Sequence, residues 1–299
     1  MTPPATLVSV DLDDLTCYHA IHGLPPPSPE QQALCLTAWL PRFLELFDRL
    51  GVRATFFVVG RTVTLDLDGA GQGAQRLRQA LREGHELGNH GHAHAYDLVH
   101  WPSERQREDL GACDAVLREL GAQPLGFRAP GYTHDARLLG HVAALGYRYD
   151  SSCLPSPPYY AAKLAAMGAM RLRGRRSVSL ADGGASFFGP RVPYRRTDVE
   201  LWELPMSVSP GWRWPLIGTT LLALPAPVAG MLRRSALRLP HFHLELHALD
   251  LADVDRDPIS PALVRHQPEL RQPWRIRYER LRELLGHRGG GVPLREAVV

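Results

Sequence analysis

The sequence holds a single lysine, Lys163, among 34 basic residues, so arginine carries almost all of its positive charge. It has no block of like charges, and a net charge of +3 is too small to argue for a nucleic-acid partner. The start, Met1 to Thr6, lacks a basic segment followed by an apolar core. The expectation is therefore no secretory signal and a cytoplasmic protein, at most peripheral to the inner membrane. Cys17, Cys35, Cys113 and Cys153 show no C-x-x-C spacing, and four scattered thiols in a chain this long are expected to be reduced. No internal repeat is visible. The most apolar stretch, Trp214 to Leu232, falls at the margin of the ~20 residues that a spanning helix needs, and Pro225, Pro227 and Gly230 interrupt it. It reads as a buried or substrate-covering helical excursion (about 212–239), ahead of a membrane-surface contact or a span.

What remains is ordinary globular material: 299 residues, 44% hydrophobic and 22% charged. The first half alternates strand-like and helix-like runs about every 30 residues. Leu7–Val10, Ala54–Gly60, His85–Leu87 and Tyr147–Ser152 have β character. Gln31–Leu50, Ala74–Arg82, Ser103–Leu120 (with Ser103 as N-cap) and Asp135–Leu145 have helical spacing. Such alternation predicts βα units around a mainly parallel sheet, open or closed into a barrel. The Pro-rich segment Cys17–Gln32 is expected to be loop. Rhythm is lost over about 154–200, where an irregular insertion with a small hairpin around Ser177–Val192 is expected. Tyr278–Leu285 is the last expected helix.

Chemistry concentrates in three places. His85, His90, His92 and His94 fall within ten residues. A neutral imidazole is a good ligand for Zn²⁺ and similar ions, and His90 and His94 could clasp one ion if the backbone coils between them. The competing reading is a polar loop whose histidines face water. Asp11, Asp13 and Asp14 close the first strand, with Asp11 and Asp13 on one side. Near the other end, His241, His243, Glu245 and His247 alternate onto one side of a strand.

Taken in order, these pieces resemble the polysaccharide deacetylase family, the carbohydrate esterase group with the NodB-type domain. The resemblance rests on Ser9-Val10-Asp11-Leu12-Asp13-Asp14, Asn89-His90-Gly91-His92-Ala93-His94, Phe127-Arg128-Ala129-Pro130, Tyr149-Asp150-Ser151-Ser152 and Leu246-His247-Ala248-Leu249-Asp250. It implies an α/β fold, a distorted (β/α)7-type barrel spanning 1–299 as one domain, with a long insertion after the fifth strand. It also implies a divalent metal, usually Zn²⁺, that serves hydrolysis of an N-acyl amide on an amino sugar or polysaccharide. By resemblance, Asp13, His90 and His94 are the metal ligands and Asp11 the general base. Arg128 is the charge partner of Asp11 through a bidentate pair, and His247 the general acid. Gly131, with Tyr132 beside it, would face the oxyanion and substrate.

Three points stay open at this level. Asp13 and Asp14 could take the base and ligand roles instead; His243 is the fallback acid; Asp150 or Glu203 could orient the acid. The sequence also departs from the family pattern. Gly91 stands where Ser or Thr is usual, Gly131 precedes Tyr132 after the Arg-x-Pro, and the fourth motif has no Trp. The alternatives for function are a deformylase or deacetylase of a lipid-linked sugar at a membrane surface, a small-molecule amide or cyclic imide hydrolase, and a non-enzymatic sugar- or metal-binding scaffold. No obligate protein partner is evident.

Overall fold

The first strand, β1 (Thr6–Leu12), is buried at all seven positions, as a strand covered on both faces must be. It lies between β2 (Thr55–Val58) and the last strand, β8 (Phe242–His247), and pairs parallel with both. From β2 the sheet runs through β3 (Glu86–Asn89), β4 (Gly126–Phe127), β5 (Tyr149–Asp150) and β7 (Trp202–Glu203), all parallel. A short β6 (Tyr194–Arg195) closes the edge antiparallel to β7. The computed structural model describes residues 6–172 and 186–298.

Seven parallel strands, curled with helices on the outside, form the mainly parallel sheet that the βα rhythm implied, bent into the distorted barrel that the family resemblance implied. The curl does not close by a continuous ladder. Between β7 and β8 the gap is bridged by Ser207, whose N–H donates to the carbonyl of His243 and whose hydroxyl accepts from the His243 N–H. Parallel strands share one direction, so their C-terminal ends gather on one rim, and the loops that leave them can converge.

Several helices depart from expectation for local reasons. Cys17–Gln32 is not one loop: Leu15–His22 is helical, capped by the Asp14 carboxylate on the Thr16 N–H and ended by Gly23 at φ 58. A second helix, Pro29–Leu34, starts at a Ser28/Gln31 capping box. The Gln31–Leu50 pattern is interrupted by a π-turn at Cys35–Trp39, where the Leu40 N–H reaches the Cys35 carbonyl. Pro41 follows and has no N–H to continue the ordinary ladder, so the extra residue is absorbed just before it. Ser103 is the first helical residue, and Pro102 holds the cap position.

The insertion is less irregular than expected, since Pro157–Leu172 is helical. Of the hairpin expected at Ser177–Val192, the part up to residue 185 lies outside the described residues. The antiparallel pair that is described, β6 with β7, lies further along the chain. The apolar excursion folds as Gly218–Leu222 and Ala226–Arg238, burying Leu216, Ile217, Leu221, Leu222 and Leu232. Among the described residues, no helix is long and apolar enough to cross a membrane. All four cysteines are buried and free.

Candidate active site

Residues more than two hundred positions apart in sequence meet on the C-terminal rim. Asp11 and Asp13 come from the end of β1, His90 follows β3, Arg128 follows β4, and His247 ends β8. The sheet register places Asp11 directly beside His247. Asp11, Asp13, His90, His94 and Arg128 are all buried, while the His247 side chain keeps 23% of its surface exposed.

The histidine loop is shaped by two polar side chains beneath it. Asn89 accepts the Gly91 N–H at 2.8 Å, and Asp109 accepts those of His92 and Ala93 at 2.9 and 2.8 Å. Gly91 sits at φ 74, and a Cβ there would lie 3.0 Å from Asp109 Oδ2, so the glycine suits both the turn and its anchor. His94 also has left-handed backbone, φ 51, which is uncommon outside glycine. The loop brings the His90 and His94 rings to 4.8 Å between centroids.

Asp13 Oδ1 lies 3.3 Å from His90 Nε2 and 3.1 Å from His94 Nε2. Neither contact has hydrogen-bond geometry: Asp13 Oδ1 and both nitrogens of His94 are buried without a hydrogen-bond partner. Leaving such atoms unsatisfied costs ~1–3 kcal/mol each. Meanwhile His90 Nδ1 donates to the Arg128 carbonyl at 2.7 Å, which turns its Nε2 lone pair toward Asp13. One carboxylate and two imidazoles, buried and with unshared lone pairs, are the donor set of a catalytic divalent site, so these residues fit a metal. Burial alone would raise the Asp13 carboxyl, but His94 and His90 outweigh it and hold it well below the usual carboxylate range. Cys17, which the sequence reading left out of the site, brings its sulfur to within 4.8 Å of ligand atoms of Asp13 and His94.

Asp14 faces elsewhere. Its oxygens accept the Thr16 N–H and the Thr62 hydroxyl, each at 2.7 Å, as helix cap and loop anchor.

Asp11 Oδ1 contacts Arg128 Nη1 at 2.6 Å, and its other oxygen is 3.6 Å from His90 Nε2. The expected two-pronged Arg128–Asp11 pair is not what forms. The rest of the guanidinium donates to the Ser151 carbonyl and hydroxyl, both at 2.8 Å, and stacks over Phe57 at 4.3 Å. Three neighbours therefore share the fork, and only one prong reaches the carboxylate.

At the far side, His247 Nδ1 is 3.1 Å from Glu245 Oε1, which also accepts the Tyr132 hydroxyl at 3.0 Å. His247 Nε2 faces Asp13 Oδ2 at 4.0 Å. Burial works to lower the His247 pKa, but Glu245, Asp13, Asp11 and Asp250 together raise it to about 10. The group oriented against His247 is thus Glu245. Asp150 and Glu203 sit together on β5 and β7 instead. The alternation of β8 had already put Glu245 on the face of His247; what it lacked was the partner ring's position. His243, the fallback acid, is a core residue. Its Nδ1 donates to the Pro205 carbonyl at 3.1 Å, its Nε2 meets Ser9 Oγ and Arg128, and burial with Arg128 holds its pKa well below the usual value.

Gly131 and Tyr132 form a left-handed turn at φ 62 and φ 65 next to Arg128. The Tyr132 N–H is bonded to the Ala129 carbonyl and its hydroxyl to Glu245, so Tyr132 is a buried support for Glu245. Beside His94, a cleft of about 460 Å³ lined by Thr16, Cys17, Arg61, Tyr96 and Asp97 opens to solvent.

Residues 28–149 match the family model described as polysaccharide deacetylase. That match includes His90, His94 and Arg128, while Asp11, Asp13 and His247 join them through the fold. The chitin deacetylase of Colletotrichum lindemuthianum is 30% identical over 120 residues, 40% of this chain and 47% of that protein. The peptidoglycan-N-acetylglucosamine deacetylase of Bacillus cereus is 31% identical over 99 residues, 33% of this chain and 43% of that protein. The chain spans less than half the length of these curated relatives. A Mycobacterium smegmatis chain provisionally described as a polysaccharide deacetylase shares the fold, with a TM-score of 0.59 at 20% identity, covering 97% of this chain and 87% of that one.

Proposed function

We propose that the chain, whose residues 28–149 match the polysaccharide deacetylase model, is a metal-dependent hydrolase of that kind, which removes the acetyl group from an N-acetylated amino sugar or its polymer. The observation that carries this reading is the Asp13 carboxylate set between His90 and His94, with a carboxylate–arginine pair on one side and a carboxylate–histidine pair on the other. Asp13, His90 and His94 would hold the ion, and two imidazoles with one carboxylate suit Zn²⁺. When bound, the ion would act as a Lewis acid toward the acyl carbonyl and make water acidic.

The chain's own residues divide the remaining work. Asp11 takes the proton from the attacking water. Its single contact with Arg128 leaves Oδ2 available for that proton and keeps the group oriented. His247, protonated at neutral pH through Glu245, delivers a proton to the departing amine from Nε2, the ring edge turned toward Asp13. The N–H of Gly131, beside Arg128 on the rim, donates to the oxyanion. The cleft next to His94 admits the sugar.

Two measurements test this together. Metal analysis of the purified protein is expected to find bound divalent metal that is lost in Asp13→Ala. Acetate release from N-acetylglucosamine oligomers is expected to follow that metal. A metal-loaded protein that releases no acetate from mono- or oligosaccharides would refute the deacetylase reading and leave the metal site standing.

A further inference from the structure

Asp150 and Glu203 are register neighbours on the parallel strands β5 and β7, and both are fully buried. Like charges placed side by side in a sheet repel, and burying two carboxylates together is costly unless something positive lies between them. The described cation nearest by contact is Arg196, whose Nη1 is 3.7 Å from Glu203 Oε2. That guanidinium is already clamped by Asp198, at 2.9 Å from Nε and 2.6 Å from Nη2. Arg196 is thus shared with Asp198 and offsets only part of the charge that two carboxylates would carry there.

A third group faces the same pair. His134, half-buried in the loop that follows Tyr132, brings a ring nitrogen to within 4.8 Å of ligand oxygens of both Asp150 and Glu203. His134 Nδ1 and Glu203 Oε2 have no hydrogen-bond partner. The other oxygens are tied down: Glu203 Oε1 accepts the Cys153 N–H at 3.0 Å, and Asp150 accepts the Ser152 hydroxyl at 2.6 Å. Two strands and a loop therefore hold one imidazole nitrogen and one carboxylate oxygen without a hydrogen bond, next to a second carboxylate.

We propose that His134, Asp150 and Glu203 form a second divalent cation site on the C-terminal rim, separate from the Asp13 site. One nitrogen and carboxylate oxygens match a transition ion such as Zn²⁺ or Mn²⁺; three side chains are too few oxygens for Ca²⁺. Without the ion a proton takes its place: burial and the nearby Asp150 push the Glu203 carboxyl well above its usual range. The bound cation ties the loop carrying Arg128 and His134 to the strands β5 and β7, where the long insertion begins and ends. The site does not depend on the deacetylase reading.

The test uses the full chain, stripped with chelator, reloaded separately with Zn²⁺ or Mn²⁺, and read by elemental analysis and calorimetric titration. Wild type is expected to bind two equivalents. An Asp13→Ala/His90→Ala background, which dismantles the first site, is expected to keep one, and adding His134→Ala to remove it. In the otherwise intact chain, His134→Gln, a half-buried loop change that spares the core, is expected to lower two equivalents to one. An Asp13→Ala/His90→Ala protein that binds no ion, or one whose ion survives the further loss of His134, overturns the proposal.

Discussion

Glu245→Gln is the most informative single change, because one pair sets the protonation of His247. In the metal-free protein His247 is held up to about 10, and Glu245, 3.1 Å from its Nδ1, is the strongest of the carboxylates that raise it. At an effective dielectric of ~20, a carboxylate at that distance favours the imidazolium by on the order of 5 kcal/mol, equivalent to roughly 3 to 4 pH units. Gln keeps a carbonyl acceptor for Nδ1–H and loses the charge. The titration of His247 is therefore expected to fall to roughly 6 to 7, with Asp13, Asp11 and Asp250 offsetting the burial that works against the charged ring. The assay is the pH dependence of the His247 ring resonance in ¹³C-histidine-labelled, metal-free protein. The wild-type signal is expected to stay in its protonated position through pH 9, and that of Glu245→Gln to move near neutrality.

Stability carries the same signature. A group whose pKa is raised on folding contributes most below its unfolded value of about 6.5, and the contribution disappears as pH rises through about 10. Glu245→Gln is expected to remove most of that dependence over the same window. With a cation on Asp13, that carboxylate's share is withdrawn, so the alkaline limb of activity lies below 10 and leans more heavily on Glu245. A wild-type His247 that titrates like an ordinary histidine, or a variant that titrates like wild type, would refute the argument.

Asp11→Asn is expected to lower kcat for acetate release by ~10²–10⁴, the usual size of general acid–base help, in a protein that still folds but melts lower, because the buried Arg128 guanidinium loses its counter-charge. Arg128→Met is expected to destabilise the fold by ~3–5 kcal/mol in urea denaturation, because it strands the buried Asp11 carboxylate and frees Ser151. His243→Leu tests the core assignment of that ring: loss of the Pro205 bond should cost ~1–3 kcal/mol, and the alkaline limb of the pH profile should stay in place. Tyr132→Phe leaves Glu245 one donor short and is expected to raise that carboxyl, weaken the His247 pair, and shift the His247 resonance titration acid-ward.

Much of this chain was legible before its structure. Period-two and period-3.6 patterns gave β1, β2, β3, β8 and the helices from Gln72 and Ser103 within a few residues, because burial on fixed faces is written in the order of apolar side chains. Where local chemistry competes with periodicity, the reading slipped. The loop expected at Cys17–Gln32 became two helices because Asp14 and Ser28 cap them, and Pro41 broke the ladder of a helix that looked continuous.

What the sequence determined alone was the inventory and its spacing: histidines four apart after one strand, aspartates two apart after another, and a glutamate two before His247 on the same face. Those are local facts, fixed by backbone period. Which of them meet is a matter of sheet order. Placing β1 between β2 and β8 sets Asp11 beside His247 and within reach of His90. The same order sends Asp150 and Glu203 to another pair of strands, next to His134, and away from the acid they were candidates to orient. Contacts between distant strands depend on how the whole sheet curls, and no window of residues short enough to read by pattern contains that information.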